Sequence, residues 1–436
     1  MDIEAKWLRP IAHARADLRI CGVGPQRITD LLGTLPADTP AVLLAGVAGG
    51  LRETTIAPRI RAVLDIDGRT HTPHWTTPWI PGSEECILLG SDTVACTPAD
   101  KRALRGRTGA DLIDCETHAL ANWAGQSGVA WGVLRSVSDG PEAHLPSEVI
   151  GWLDENGRTR TGTALAGIIR KPSLLPTLLH LMRGTNLAMR ALGDPFSRLL
   201  TMLASCNPEE LRCRAPRIGP LPLETSARRI LVFGGTFDPP HRAHVELSLH
   251  AARALACDTL LVVPAARSPH KTAGPTATDE ERVAMLELAY RGHPEAAICT
   301  AELNRAAAGQ PSYTIDTIRA LRTAAPHAEF RLLIGADQAA AFHKWREPAA
   351  LLEFAPPAVV LRPPIDTAET LRAALAPHWP NEDVDRWINR IVPAPIMPIS
   401  ATSFRAGHAP PDDLPAPVRR YLEQAFWLYR DGVPLK

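Results

Sequence analysis

Ile230-Leu231-Val232-Phe233-Gly234-Gly235-Thr236-Phe237-Asp238-Pro239-Pro240-His241-Arg242-Ala243-His244 runs from an apolar strand through a glycine turn into the start of a helix. Four consecutive apolar residues suit a strand buried on both faces, as in a parallel sheet. Glycines at a strand end let the backbone come close to phosphate oxygens, and the free amides and positive dipole end of the next helix favour an anion there. His241 and His244, three residues apart at that helix start, are placed to donate hydrogen bonds to a phosphate chain. An isolated HxxH pair is equally a metal pair or two surface imidazoles; the strand and turn in front of it favour the phosphate. The pattern continues with a strand over 259–263, a capping box Thr278-Asp279-Glu280-Glu281 ahead of a helix over 282–290, and a short buried strand over 331–334. An α/β series therefore starts at Arg229.

The rest of the chain sets the frame for that series. Its 436 residues hold 47 basic and 47 acidic side chains, so the overall field gives no reason to expect a nucleic acid as partner. With 45% apolar and 22% charged residues, the balance is that of a folded globular protein. The eight cysteines are scattered without a CxxC pair, which predicts reduced thiols and a cytoplasmic setting, and suggests no protein-held metal. Residues 1–10 lack an apolar signal core and no run is long and apolar enough for a membrane span, so neither secretion nor membrane insertion is expected.

Upstream of Arg229, apolar runs over 18–21, 41–44 and 130–137 alternate with helical stretches, predicting a sheet covered by helices. A helical zone over 163–204 follows, in which Leu174, Leu175, Leu178, Leu179, Leu181 and Met182 recur at helical spacing and are expected to pack. The Pro-rich stretch after Cys206 predicts a linker over 206–228 between a domain over 1–205 and a domain over 229–436.

From Arg229 to the C-terminus the chain resembles the HxGH-type nucleotidyltransferases, and within them the bacterial nicotinate-nucleotide adenylyltransferases. Besides the glycine turn, the resemblance rests on Ser268-Pro269-His270-Lys271, Pro311-Ser312-Tyr313-Thr314, Ile334-Gly335-Ala336-Asp337, Phe342-His343-Lys344-Trp345 and Ile399-Ser400-Ala401-Thr402-Ser403-Phe404-Arg405. It implies a Rossmann-like nucleotidyltransferase fold with a parallel sheet. The implied reaction is transfer of AMP from ATP, accompanied by Mg2+, to the phosphate of nicotinate mononucleotide, giving deamido-NAD and pyrophosphate. On the resemblance, Gly234, Gly235, Thr236 and Phe237 form the nucleotide turn. His241 and His244 hold the ATP phosphates, His270 and Lys271 cover them from a loop, and Arg405 reaches the β- and γ-phosphates from a helix that Ser400 or Thr402 caps. Thr314 and Trp345 resemble contacts to the pyridine ring and its carboxylate, and Asp337 a ribose or adenosine contact. Each also has a plainer reading: a turn and helix cap for Thr314, a core aromatic for Trp345, a cap for Asp337. Ala243 stands where the family usually has glycine.

The N-terminal half resembles, over fewer residues, the nucleoside phosphorylase and methylthioadenosine nucleosidase superfamily. The match rests on Ala45-Gly46-Val47-Ala48-Gly49-Gly50-Leu51, and on Ile113-Asp114-Cys115-Glu116 followed by Val133-Leu134-Arg135-Ser136-Val137-Ser138-Asp139. It implies a phosphorylase-like mixed sheet flanked by helices, with a purine nucleoside as ligand. Asp139 would protonate the departing base, Glu116 would bind ribose hydroxyls, and Glu4 would activate water or orient the ribose. Val47 and Cys115 depart from the usual residues. Three readings stay open beside the main one: a transferase preferring nicotinamide mononucleotide, a nucleotide-binding sensor without catalysis, and an N-terminal domain that only binds a nucleoside or mediates assembly. Oligomerisation is compatible with all of them.

Overall fold

A computed structural model describes residues 8, 16–21, 24–146, 152, 161–224, 226–266, 275–397, 399, 401–405 and 410–425. The chain forms two compact units, Met1–Arg214 and Ala215–Lys436.

Among its described residues the first unit holds seven strands: β1 (Ala41–Gly50), β2 (Arg59–Leu64), β3 (Thr70–His71), β4 (Trp75–Thr76), β5 (Glu85–Gly90), β6 (Leu112–Asp114) and β7 (Ala130–Asp139). They form one mixed sheet in the order β3-β2-β5-β6-β1-β7-β4. Its spine is the long parallel pair β1 and β7, in register from Ala41↔Ala130 to Ala48↔Val137, with an irregularity before Gly49↔Asp139. β6 runs antiparallel to β1. The glycine-rich segment after Leu44 is therefore part of β1 and not a loop beyond it.

Two expectations for this half need correction. Residues 18–21 form no strand: Leu18 and Ile20 are only half-buried, and the stretch is irregular. The helical zone is broken at Pro172 into Thr161–Arg170 and the 30-residue helix Leu175–Ala204. Only one of its leucine stripes packs: Leu174 is buried and Leu178 and Leu181 half-buried, while Leu175, Leu179 and Met182 are exposed. A dense run of leucines satisfies helical spacing on two adjacent faces, and only one can meet the protein.

The second unit carries β8 (Arg217–Gly219), β9 (Arg229–Gly235), β10 (Thr259–Pro264), β11 (Ala296–Cys299), β12 (Glu329–Gly335) and β13 (Pro357–Val360). All pairings are parallel, in the order β13-β12-β9-β10-β11-β8. Ile230, Leu231 and Val232 of β9, and all six residues of β10, are buried, as strands covered on both faces require. From β9 the chain passes to β10 on one side and later returns to β12 on the other. The crevice at the strand C-termini there is the place where open α/β sheets bind ligands. The stretch 206–228 is not irregular throughout: Pro208–Arg212 is helical, and Arg217–Gly219 adds a sixth strand at the sheet edge, where flanking prolines cost no ladder bond.

Candidate functional site

A cavity of about 920 Å³ opens at that crevice, lined by the β9 turn, the ends of β10 and β12, and the starts of two helices. The turn forms part of its wall. Phe237 holds φ +49°, a left-handed conformation that costs a non-glycine residue about 1–2 kcal/mol, and its ring is buried edge-on against Phe233 and His244. A side chain at Gly235 would come within 2.9 Å of that ring, which is why glycine stands there.

Two further residues, neither predicted from sequence, fix the turn. Asp238, 2% exposed, accepts from the amides of Thr276 at 2.7 Å and Ala277 at 3.2 Å. Arg282 donates to the carbonyls of Thr236 and Ala265. The Asp238–Thr276 bond spans 38 residues of chain and the Arg282 bonds span 46 and 17, beyond the reach of local pattern, although the capping box did place the helix carrying Arg282.

His241 is the N-cap of the helix Arg242–Ala254, and His244 lies in its first turn. Their rings stack with centroids 3.6 Å apart, and the His241 amide donates to His244 Nδ1 at 3.2 Å. With Nδ1 accepting, His244 keeps its proton on Nε2. Burial, with the Arg362 charge nearby, pushes the His241 imidazole down to about 4, so it is neutral at physiological pH. Its Nδ1 has no hydrogen-bond partner among the described residues. Ala243 is buried in the same turn.

The opposite wall begins with Ser312, Tyr313 and Thr314. Tyr313 is the N-cap of the helix Thr314–Ala324, so the motif is a helix start and a cavity wall together. Beneath it, Arg305 hydrogen-bonds Ser312 Oγ and Thr317 Oγ1, and Thr317 donates to Glu302. Burial pushes Glu302 up to about 6 against the restraining effect of Arg305 and Thr317. Trp345 stacks on buried Phe342 at 5.1 Å, as the core-aromatic reading expects, and also lines the cavity. Asp337 lies just past β12, where Arg362 grips it with two bonds of 2.7 Å. Burial would raise its carboxyl, but Arg362 outweighs that and holds it below the ordinary range. Arg405, from the short helix Ala401–Arg405, donates to the Asp238 carbonyl at the cavity edge.

The structure thus brings Gly234, Gly235, Thr236, Phe237, His241, His244, Thr314, Asp337, Trp345 and Arg405 around one cavity. Ser400, His270 and Lys271 lie outside the described residues, as does the side chain of Thr402. The acids lining the cavity are all engaged: Asp238 by amides, Asp337 by Arg362, Glu302 by Thr317. Its cationic lining, Lys344, Arg346, Arg362 and Arg405, suits a polyanion. Among the described residues no group of three or more His, Cys, Asp or Glu side chains is arranged to hold a metal ion.

In the first unit, Asp139 and Glu116 are held by different cations. Lys101, its side chain fully buried, reaches Asp139 Oδ2 at 2.5 Å and the Gly140 carbonyl at 2.7 Å, while Ser138 takes Asp139 Oδ1. Glu116 pairs with Arg135, four positions earlier on β7, which also holds Asp114, and Glu116 accepts from the Gly24 amide. Sequence reading missed Lys101. Glu4 lies outside the described residues. Burial pushes the thiols of Cys86, Cys115 and Cys299 up to about 12, leaving them unreactive. No helix among the described residues is long and apolar enough to cross a membrane.

A family model described as Phosphorylase superfamily matches residues 83–170, and one described as Cytidylyltransferase-like matches residues 232–407. A structure of Helicobacter pylori MTAN is similar at 17% identity with a TM-score of 0.24, covering 27% of this chain and 67% of that one. A probable nicotinate-nucleotide adenylyltransferase of Chromobacterium violaceum is 36% identical over 186 residues, 41% of this chain and 86% of the relative. The protein of the same name from Bordetella petrii is 37% identical over 211 residues, 47% of this chain and 100% of the relative. With relatives of that identity covered nearly end to end, the chain belongs, through its C-terminal half, to the nicotinate-nucleotide adenylyltransferase family.

Proposed function

We propose that the C-terminal unit transfers the adenylyl group of ATP to nicotinate mononucleotide, a step of NAD biosynthesis. A phosphate oxygen of the mononucleotide attacks the α-phosphorus in line; the bond to the bridging oxygen breaks, and pyrophosphate leaves with the electron pair. The protein needs no covalent intermediate. Its work is to hold two anions that repel each other and to stabilise charge growing on the leaving oxygen. The observation that carries this reading is the stacked pair His241 and His244 at the mouth of a glycine turn, within one cavity lined by cations. His244 Nε2–H is the donor to the α-phosphate, His241 a neutral donor beside it, and Arg405 the charge for the outer phosphates.

The described carboxylates that line the cavity are engaged by amides, by Arg362 and by Thr317, so Mg2+ would enter with ATP and would supply neutralisation of the phosphate charge. The amides at the start of the helix Thr314–Ala324, with Arg346 stacked 4.4 Å from the Tyr313 ring centroid, suit the pyridine carboxylate, and Trp345 offers a face for the ring. The reading predicts a higher kcat/KM for nicotinate mononucleotide than for its amide in steady-state assays with ATP. Equal or greater efficiency with the amide overturns the acid preference.

For the N-terminal unit, the phosphorylase-superfamily match supports a purine nucleoside as ligand class. The Lys101–Asp139 pair favours binding over bond cleavage, because a carboxylate held by a buried ammonium would have to leave that ion pair to carry a proton to a departing base. A cytoplasmic setting fits the chemistry of both units.

A further inference from the structure

The helix Asp279–Ala289 passes behind the glycine turn and is buried along nearly its whole length. Its Arg282 side chain is 0% exposed; both terminal nitrogens are hydrogen-bonded there, while Nε has no partner among the described residues. Nη1 donates to the Thr236 carbonyl at 2.8 Å and to the Ala265 carbonyl at 2.7 Å, and Nη2 to Asp279 Oδ1 at 2.6 Å. One side chain therefore ties together the segments that leave β9 and β10. It does not itself line the cavity, whereas Thr236, Phe237 and Ala265 do.

In a planar trans peptide the carbonyl and the following N–H point in opposite directions. Drawing the Thr236 and Ala265 carbonyls back toward the helix turns the amides of Phe237 and Ala266 away from that helix, and Phe237 lines the cavity. The left-handed Phe237 backbone is a conformation that surrounding structure must impose, and the Arg282 bond to the peptide just before it is one such constraint. Lysine cannot replicate this, because a single ammonium lacks the planar fork that spans two carbonyls and a carboxylate.

We propose that Arg282 is a positioning residue for adenylyl transfer: without touching the nucleotide, it aims the Phe237 and Ala266 amides at the triphosphate of ATP. This rests on the transferase reading above. The test is Arg282→Lys in the full chain, with ATP and nicotinate mononucleotide varied separately and thermal unfolding followed alongside. Losing hydrogen bonds from a charged donor should raise the KM for ATP about tenfold or more and leave that for the mononucleotide within about twofold. A merely structural role moves both KM values together or only the unfolding temperature, and either result overturns the proposal, as does an unchanged KM for ATP. Asp279→Ala keeps the guanidinium but removes its brace, and should raise the KM for ATP about threefold; if Arg282→Lys does not fold, an unchanged KM for ATP in folded Asp279→Ala is the overturning result. A wild-type chain that forms no dinucleotide defeats the transferase reading instead, a different observation from an active wild type beside indifferent variants.

Discussion

Burial makes His241 a hydrogen-bond donor instead of a cation, and the same burial has a consequence for stability. Its folded pKa, about 4, lies below the ordinary value of 6.5, so between those values the unfolded chain binds more protons than the folded one. Stability supplied by the neutral ring is present above pH 6.5 and is lost as the pH falls toward 4. From pH 7 to pH 5 the loss is about 2 kcal/mol. Urea unfolding of the C-terminal unit in the full chain should therefore show His241→Asn losing about 2 kcal/mol less than wild type over that interval; an equal loss in both proteins contradicts the assignment. The histidines and Gly235 were legible because strand, glycine turn and helix start are contiguous in sequence, and Arg405 was legible only through the family motif over 399–405. The Asp337–Arg362 pair and the Arg282 tie were not, since each joins segments brought together only by the sheet. Lys101 is the same case in the first unit: nothing local marks a lysine that will be fully buried against a carboxylate 38 residues away.

Continuous apolar runs marked β7, β9 and β10, each with a stretch buried on both faces, and they also marked β1, whose burial alternates, and β12. What misled was composition. Prolines over 206–228 suggested bare linker, yet proline forbids only a ladder bond, and an edge strand can do without one. β8 took that edge, with Ile218 fully buried against the sheet. If the segment belongs to the fold, Ile218→Ala costs the C-terminal unit about 2–4 kcal/mol in denaturant unfolding; a linker position would cost nothing measurable. The helix Leu175–Ala204 failed in the opposite sense, with apolar spacing too generous to say which stripe packs, and residues 18–21 had apolar side chains but no strand to pair with.

The chain joins a unit matching complete adenylyltransferases to one matching part of the phosphorylase superfamily. With Asp139 held by Lys101 and Ser138, the full chain is expected to release no base, by hydrolysis or phosphorolysis, from a panel of purine nucleosides; measurable free adenine or hypoxanthine contradicts that. The account as a whole depends on the imidazole pair acting on ATP in the second unit. The most direct measurement is release of pyrophosphate and deamido-NAD, in equal amounts, from ATP and nicotinate mononucleotide by the full chain and by His244→Ala. Loss of a preorganised donor to the reacting phosphate should lower kcat by about 10²–10³-fold. Dinucleotide formation at an undiminished rate in the variant would contradict the account.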